Sequence, residues 1–175
     1  MLNHLVLAAL GANRPGLIDA LSKVIKDCGG NIADSRMTVL GTDFALILLV
    51  SGTWDVIAKI ENQLPRLRDN LDLSITARRT EARKSSANLI PYAVEVVSSD
   101  HPGIVNDIAG FFSGRDIGVE DMYTGTYAAA HTGAPMFSLH MTVAVPNNVS
   151  IAALRGEFME FCDRLNVDAI LEPVK

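Results

Sequence analysis

Two short segments combine residue types that could bind a small amino acid. Asp-His-Pro-Gly occupies positions 100–103, and Asn-Arg-Pro-Gly occupies positions 13–16. Each segment lies between a run of strand-forming apolar residues and an apolar pattern typical of a helix, so each should open a helix. The N-terminus of a helix offers N–H donors and a partial positive charge to a carboxylate, and Asp100 could meet the ammonium group of the same ligand. The pattern therefore indicates an amino-acid site.

The same residue types also have a purely structural explanation. Proline suits the first turn of a helix because its missing N–H would be unpaired there. Asp100 or Asn13 could cap free backbone donors, and glycine fits a crowded turn. Ligand binding and helix capping are both compatible with the sequence.

The chain contains an internal repeat with an offset of 87 residues, the separation of Gly16 from Gly103. At this offset, the apolar positions of the helix after the first turn fall on apolar positions after the second turn, and in both segments they form one helical face. Asp34 also falls on Asp121. The sequence therefore predicts a tandem duplication.

Each repeat predicts the order β-α-β-β-α-β. The two middle strands are expected at 31–40 and 43–51 in the first repeat and at 117–127 and 136–145 in the second. Gly29 and Gly30 should end the first helix. The second helices should bury the following apolar residues: Val56, Ile60, Leu64 and Leu67, or Leu154, Phe158, Phe161 and Leu165.

This order predicts an α+β fold of two ferredoxin-like domains in tandem, each an antiparallel sheet with two helices on one face. The expected domains are residues 1–80 and 89–175, joined by a linker at 81–88. In the second repeat the connection around 125–136 is longer, and loops of this kind often carry function, so its role stays open.

Charge and composition restrict the class of protein. The net charge is −5, and a protein that neutralises several phosphates usually needs a basic face, so direct nucleic-acid binding is disfavoured. A small basic cluster is interpreted as part of a solvated linker, and it consists of Arg78, Arg79, Arg83 and Lys84. No apolar run is long enough to span a membrane. The N-terminus lacks the pattern of an export signal, and Cys28 and Cys162 should be free thiols, which together predict a cytoplasmic protein.

No pattern supports catalysis, a metal or a cofactor. Residues 11–16 have the glycine spacing of a phosphate-binding loop, but Leu17 and Ile18 replace its lysine and its serine or threonine. The four histidines lie far apart in the sequence, without metal-ligand spacing. The chain is therefore predicted not to be an enzyme.

The β-α-β-β-α-β order, with Asp-x-Pro-Gly after the first strand, resembles an ACT domain, a regulatory module that commonly binds amino acids. More narrowly, the chain resembles the glycine cleavage system transcriptional repressor family, which has two such domains. The segments that carry this resemblance are ALGANRPG, CGGNIADSRM, LGTDFALILLVSGTWDVIAKIENQLP, RRTEAR, SDHPGIV, IGVEDMYT, TGAPMFSLHMTV and LNVDAILEP.

The resemblance implies a cytoplasmic co-repressor that contacts a DNA-bound activator protein, has no DNA-binding domain of its own and responds to glycine. Carried over to this chain, the ligand-binding residues would be Asn13, Arg14, Pro15, Gly16 and Asn31 in the first domain and Asp100, His101, Pro102, Gly103 and Gly118 in the second. Sites in ACT domains often lie between two domains, so a homodimer is possible. Asn13 departs from the acidic residue common at this position, which implies a weaker first site or only one active site of the two.

Two alternatives stay open at this stage. The chain could be an amino-acid-sensing regulatory subunit of a metabolic enzyme, or an interaction module without a ligand whose Pro-Gly turns only shape the helices. Substitutions at Asp100 and Gly103 would separate the last alternative from the others, because they would then alter stability and nothing else.

Overall fold

The computed structural model describes residues 1–84 and 86–174. The chain divides into two compact units, Met1–Lys84 and Ser85–Lys175. Both units have the predicted β-α-β-β-α-β order, so the ferredoxin-like fold class is confirmed.

In the first unit, the elements in chain order are β1 Asn3–Ala12, α1 Leu17–Asp27, β2 Asn31–Leu40, β3 Asp43–Gly52, α2 Trp54–Leu71 and β4 Ser74–Thr80. Its antiparallel sheet has the strand order β2-β3-β1-β4. In the second unit they are β5 Leu89–Ser99, α3 Ile104–Ser113, β6 Gly118–Ala128, β7 Pro135–Pro146, α4 Ile151–Leu165 and β8 Asp168–Pro173. Its antiparallel sheet has the equivalent order β6-β7-β5-β8.

Each core lies between one face of the sheet and the two helices of the same unit. In β1 the alternate residues Leu5, Leu7 and Ala9 are buried, as the period of two in a strand requires. The first core is mainly aliphatic, whereas the second contains a cluster of phenylalanines in which Phe111 and Phe112 both lie against Phe158. The two units thus reach the same topology with different packing.

The expected buried faces of the second helices need correction. In α2 the buried residues are Ile57, Ile60, Leu64 and Leu67, so Ile57 takes the place predicted for Val56. Val56 is only partly buried because it packs against the edge of the core beside Gly52. In α4 the buried residues are Leu154, Phe158 and Cys162, whereas the predicted Phe161 and Leu165 are only partly buried at the margin of the core. The i, i+4, i+8 row faces the sheet in α4, which leaves the neighbouring positions half covered.

The basic cluster predicted to be a linker lies partly within a strand. Arg78 and Arg79 lie within β4, and Arg79 forms a salt bridge of 2.7 Å with Glu61 of α2. Because side chains alternate along a strand, Arg78 points away from the helices. The interpretation of the whole cluster as a solvated linker is therefore wrong for these two residues.

The end of α1 agrees with the prediction. Gly29 has a φ of +86°, and the N–H of Gly30 donates to the carbonyl of Ile25 at 2.9 Å. This is the hydrogen bond that closes a helix whose next residue is left-handed. The glycines turn the chain from α1 into β2.

The last strand of each sheet is an edge strand held by an arginine from the second helix. Arg68 Nε donates to the carbonyl of Ile75 at 2.6 Å, and Arg155 Nε donates to the carbonyl of Leu171 at 3.0 Å. Both contacts join the second helix of a unit to its final strand. Across the described residues, no helix is long and apolar enough to cross a membrane.

Candidate functional site

The two Pro-Gly turns have almost the same backbone. Gly16 has φ 90° and ψ −3°, Gly103 has φ 98° and ψ −11°, and each is the N-cap residue of its helix. A Cβ added at Gly16 would meet no atom within 4 Å. The positive φ, rather than lack of space, is therefore what favours glycine here.

The N-cap residue of each of these helices is a glycine, which has no side chain to cap the helix. The first bonds after the turns join Ala20 N–H to the Gly16 carbonyl at 3.0 Å and Asp107 N–H to the Gly103 carbonyl at 2.9 Å. Within residues 1–84 and 86–174, no side-chain cap is found at α1, α2 or α3, whereas Ser150 caps α4 by accepting from Ala153 N–H. The side chains of Asn13 and Asp100 form no hydrogen bond within the described residues, so the capping role considered for them is wrong, and in this part of the chain the first turns of α1 and α3 keep donors without a side-chain cap.

The first turn is tied to two neighbouring segments. The Asn13 N–H donates to the Thr42 carbonyl at 3.0 Å, which joins the turn to the β2–β3 hairpin. Arg14 Nη2 donates to the carbonyl of Leu71 at 2.7 Å, and Leu71 is the last residue of α2. A guanidinium at a helix C-terminus satisfies an open carbonyl and suits the helix dipole. Arg14 thus has a structural contact of its own.

The second turn carries an exposed carboxylate. The Asp100 N–H donates to the Pro135 carbonyl at 3.1 Å, but within the described part of the chain its carboxylate forms no hydrogen bond or ion pair. His101 Nδ1 lies 3.0 Å from the Ser99 carbonyl, so this ring is held by the strand that leads into the turn. Asp100 is therefore free to meet a positively charged ligand group.

The longer connection of the second unit is an ordered loop beside this turn. Its ends are joined by a bond of 2.9 Å from Ala129 N–H to the Ala134 carbonyl, and Gly133 N–H donates to the Ala129 carbonyl at 2.8 Å. Pro135 follows directly and accepts the bond from Asp100. The insertion at 125–136 thus adjoins the second Pro-Gly turn.

Asn31 and Gly118 lie at the other end of their sheets. Asn31 is paired with Ser51, and Ser51 with His4 near the start of β1, whereas the Pro-Gly turn follows the end of β1. About eight residues of extended strand separate the two places, roughly 25 Å. Gly118, paired with Ala144, has the same relation to the second turn. One unit by itself therefore does not bring these residues to its own turn.

One acidic residue near the second turn was missed in the sequence. Asp107 lies in the first turn of α3, and its Oδ2 is 3.8 Å from where a Cβ of Gly103 would be. Negative charge is favoured at a helix N-terminus, so this carboxylate would compete with a ligand carboxylate bound there. In the sequence, Asp107 could have been recognised as an acidic residue four positions after Gly103.

The thiols are unpaired, as expected. Cys28 and Cys162 are both free, and burial raises the pKa of Cys28 above its usual value. Burial, together with the nearby Asp163, raises the pKa of Cys162 to about 11. Both groups are therefore protonated and unreactive near neutral pH. In residues 1–84 and 86–174, no group of three or more metal-binding side chains is placed to hold an ion.

The fold and the repeated turns define a tandem ACT-domain protein. A family model for the ACT domain matches residues 3–78. The second unit has the same element order, the same sheet order and the same left-handed glycine before its first helix.

Whole-chain comparisons narrow this class. The glycine cleavage system transcriptional repressor of Escherichia coli (strain K12) is 31% identical over 172 residues, which cover 98% of this chain and 90% of that protein. The crystal structure of a protein named as a candidate glycine cleavage system transcriptional repressor is 28% identical, with a TM-score of 0.72, and covers 100% of this chain and 99% of that one. A structure of an unknown protein from Galdieria sulphuraria is 25% identical, with a TM-score of 0.81, and covers 100% of both chains. The chain belongs to the glycine cleavage system transcriptional repressor family.

Proposed function

We propose that the chain is a glycine-responsive co-repressor of transcription that acts in the cytoplasm through contact with a DNA-bound activator protein. Its E. coli relative is named a repressor, and the chain itself carries a net charge of −5, which favours a protein partner over direct DNA contact. Its role is regulatory rather than enzymatic.

The observation that carries the ligand part of this proposal is the second Pro-Gly turn. It combines a helix N-terminus without a side-chain cap and an exposed carboxylate, Asp100, without a partner among the described residues. The α-carboxylate of an amino acid would accept from the first-turn N–H groups of α3, and its ammonium group would donate to Asp100. These two requirements define a free amino acid.

The first turn would be the weaker site. Asn13 offers only a neutral amide oxygen to an ammonium group, and the adjacent guanidinium of Arg14 would repel that group. Asn31 and Gly118 could complete a site only from another unit, because each lies far from the turn of its own sheet.

Titration calorimetry against glycine, serine, alanine and valine tests the ligand. Saturable heat with glycine is expected, and Asp100→Asn should weaken it about tenfold because a charge-assisted hydrogen bond becomes a neutral one. Asp116→Asn is the matched control. Asp116 is exposed in the same unit, and its φ of 54° is one that asparagine accepts. If none of the four amino acids gives binding heat at millimolar concentration, the glycine response is contradicted. The chain would then be an interaction module without a ligand.

Regulation has its own test. In a gel-shift experiment, the chain should lower the mobility of an activator–operator complex further. It should not change the mobility of free operator DNA. Glycine should reverse the effect in the wild type more readily than in Asp100→Asn. A shift of free DNA by the chain alone would contradict action through a protein partner.

A further inference from the structure

The first sheet has an open face opposite its helices, and the centre of this face is apolar. Because Leu46 and Leu48 are buried against the helices, Ile47 between them points to the open side. Ile47 lies opposite Ala8 of β1, and Leu10 of β1 lies opposite Ala45. Ile47 is 48% exposed and Leu10 is 55% exposed. Exposed large apolar residues grouped on one face are typical of an interaction surface.

Opposite charges lie at the two edges of the same face. Leu49 and Val6 are opposite each other at its centre, with Asp34 of β2 beside Leu49 and Arg78 of β4 beside Val6. These four residues form one row across the sheet. Arg78 has no partner within the described residues, whereas Asp34 pairs with Arg36 on its own strand at 2.6 Å.

We propose that this face binds the same face of a second copy of the chain. The copies would be related by a two-fold axis parallel to the strands, between β1 and β3. Such an axis places β1 of one copy over β3 of the other, and β4 over β2, while each row stays at its own level. Two sheets stacked in this way lie about 10 Å apart.

The sizes of the central side chains fit this arrangement. In one row the large Ile47 faces the small Ala8 of the second copy, and in the next row the large Leu10 faces the small Ala45. Every such pair occurs twice, because the axis exchanges the two copies. Large residues opposite small ones let two apolar faces interdigitate without voids.

The charges fit as well. In their row, Arg78 of one copy faces Asp34 of the other, so two ion pairs would flank the apolar centre. Arg79 cannot replace Arg78 in this role, because it points to the helix side and pairs with Glu61. The edge charges thus favour an axis between β1 and β3 over one shifted by a strand.

The second sheet lacks this self-complementarity. The position of Ile47 is taken by His140 and that of Ala8 by Glu95, and Tyr123 stacks on His140 with 4.6 Å between ring centroids. The row equivalent to that of Asp34 and Arg78 has Asp121 at one edge and Glu172 at the other. The same two-fold operation would set carboxylate against carboxylate. Pairing of copies is therefore assigned to the first sheet.

The expected dimer is of modest strength. Four strands about 4.8 Å apart and about seven residues of each give a face of roughly 20 by 25 Å. This is smaller than the faces of most stable dimers. The equilibrium should therefore respond to protein concentration in the micromolar range, and the dimer does not depend on the proposed glycine response.

Sedimentation velocity of the full chain, from low micromolar to near-millimolar concentration, tests the proposal. The wild type should pass from monomer to dimer. Ile47→Asp should weaken the dimer by about a hundredfold or more, because it would bury an unpaired charge. Ile170→Asp is the matched control, since Ile170 is 44% exposed on the open face of the second sheet. It should leave the dimer unchanged.

A charge exchange tests the register and identifies the occupant. Asp34→Arg and Arg78→Asp should each weaken the dimer about tenfold, and the double variant should recover most of this loss because the pairs re-form with reversed polarity. Fluorescence of Trp54, the only tryptophan, verifies that the first unit stays folded in each variant.

Three results would overturn the proposal. A wild type that is monomeric throughout the concentration range would exclude pairing and direct attention to another protein as the occupant. A dimer that Ile170→Asp dissociates, while Ile47→Asp does not, would assign pairing to the second sheet. A double charge variant no better than the single ones would exclude the proposed register.

Discussion

The two Pro-Gly turns share a backbone and differ in their side chains. Both place a left-handed glycine before the first helix of a unit and leave that helix without a side-chain cap. The first turn carries Asn13 and an arginine that is bonded to α2, whereas the second carries the free carboxylate of Asp100. The difference separates two features: the left-handed glycine sets the backbone in both units, and the charge before it is what distinguishes the proposed ligand site in the second.

The sheet faces opposite the helices differ between the two units even more than the turns do. The residues that face the helices are apolar in both units because each core needs them, but the opposite faces carry no such constraint. One has become apolar around Ile47 and the other polar around His140. Duplication thus gave two similar folds with different surfaces, and the proposed ligand and dimer contacts lie where the units differ.

The shared backbone predicts the largest effect. Gly16→Ala and Gly103→Ala should each lower the free energy of unfolding of their own unit by about 1 to 2 kcal/mol, because alanine is strained at positive φ. Trp54 emission follows the first unit, and tyrosine emission follows the second, which contains all three tyrosines. Gly118→Ala, without positive φ and with open space around it, is the control and should change neither. Equal shifts of both signals in one variant would contradict separate units.

The difference between the turns predicts the next effect. Asn13→Asp should raise the glycine affinity of the first turn by about tenfold, since it restores a charge-assisted bond. Calorimetry should then show a second set of sites. Asn62→Asp, an exposed position on α2, adds the same charge elsewhere in the unit and should have no effect. If Asn13→Asp behaves like this control, the first turn is not a ligand site.

A smaller effect concerns the competing carboxylate of the second turn. Asp107→Asn removes a negative charge beside Gly103 and should strengthen glycine binding there by about threefold. Calorimetry at low and high salt measures this gain in glycine affinity, and high salt should reduce it because it screens the charge of Asp107. Weaker binding in this variant would indicate that Asp107, rather than Asp100, meets the ammonium group.

The smallest effect concerns a salt bridge of the first unit. Arg79 holds the pKa of Glu61 below its usual value, chiefly through their hydrogen bond. The ionised pair therefore stabilises the fold above the ordinary glutamate pKa, and this contribution is lost as the pH falls through the lowered value. Glu61→Gln should cost a few tenths of a kcal/mol at pH 7, given the partial exposure of both side chains, and nothing in strong acid. Urea unfolding at several pH values, followed by Trp54 fluorescence, measures this cost. A loss of unfolding free energy in Glu61→Gln that does not change with pH would show that the ion pair is not its cause.

Most of the fold could be predicted from the sequence. The repeat, the order of the elements along the chain and the end of α1 at Gly29 and Gly30 follow from periodicity and from glycine, which act locally along the chain. The helix faces could not be predicted fully, because the choice between Val56 and Ile57 depends on how α2 lies on its sheet. The same holds for Arg78 and Arg79, which a charge count alone assigned to the linker.

The site was less accessible to sequence reasoning. The turns stood out, but a capping role for Asn13 and Asp100 could be checked only in the structure, where neither side chain forms a hydrogen bond within the described residues. The contact of Arg14 with Leu71, 57 residues away, has no local signal. Nor did the sequence place Asn31 and Gly118 at the far end of each sheet, since that depends on strand direction and register.

The arginines that reach from α2 and α4 to the edge strands β4 and β8 bear on how these sheets avoid uncontrolled growth. A bare edge strand is a template for another strand, and a sheet with two bare edges can extend without limit into fibres. Arg68 and Arg155 each occupy a carbonyl of one edge strand, so an incoming strand would first have to displace a guanidinium. Each sheet then accepts a strand more readily at its opposite edge, β2 or β6, so neither sheet by itself extends freely in both directions.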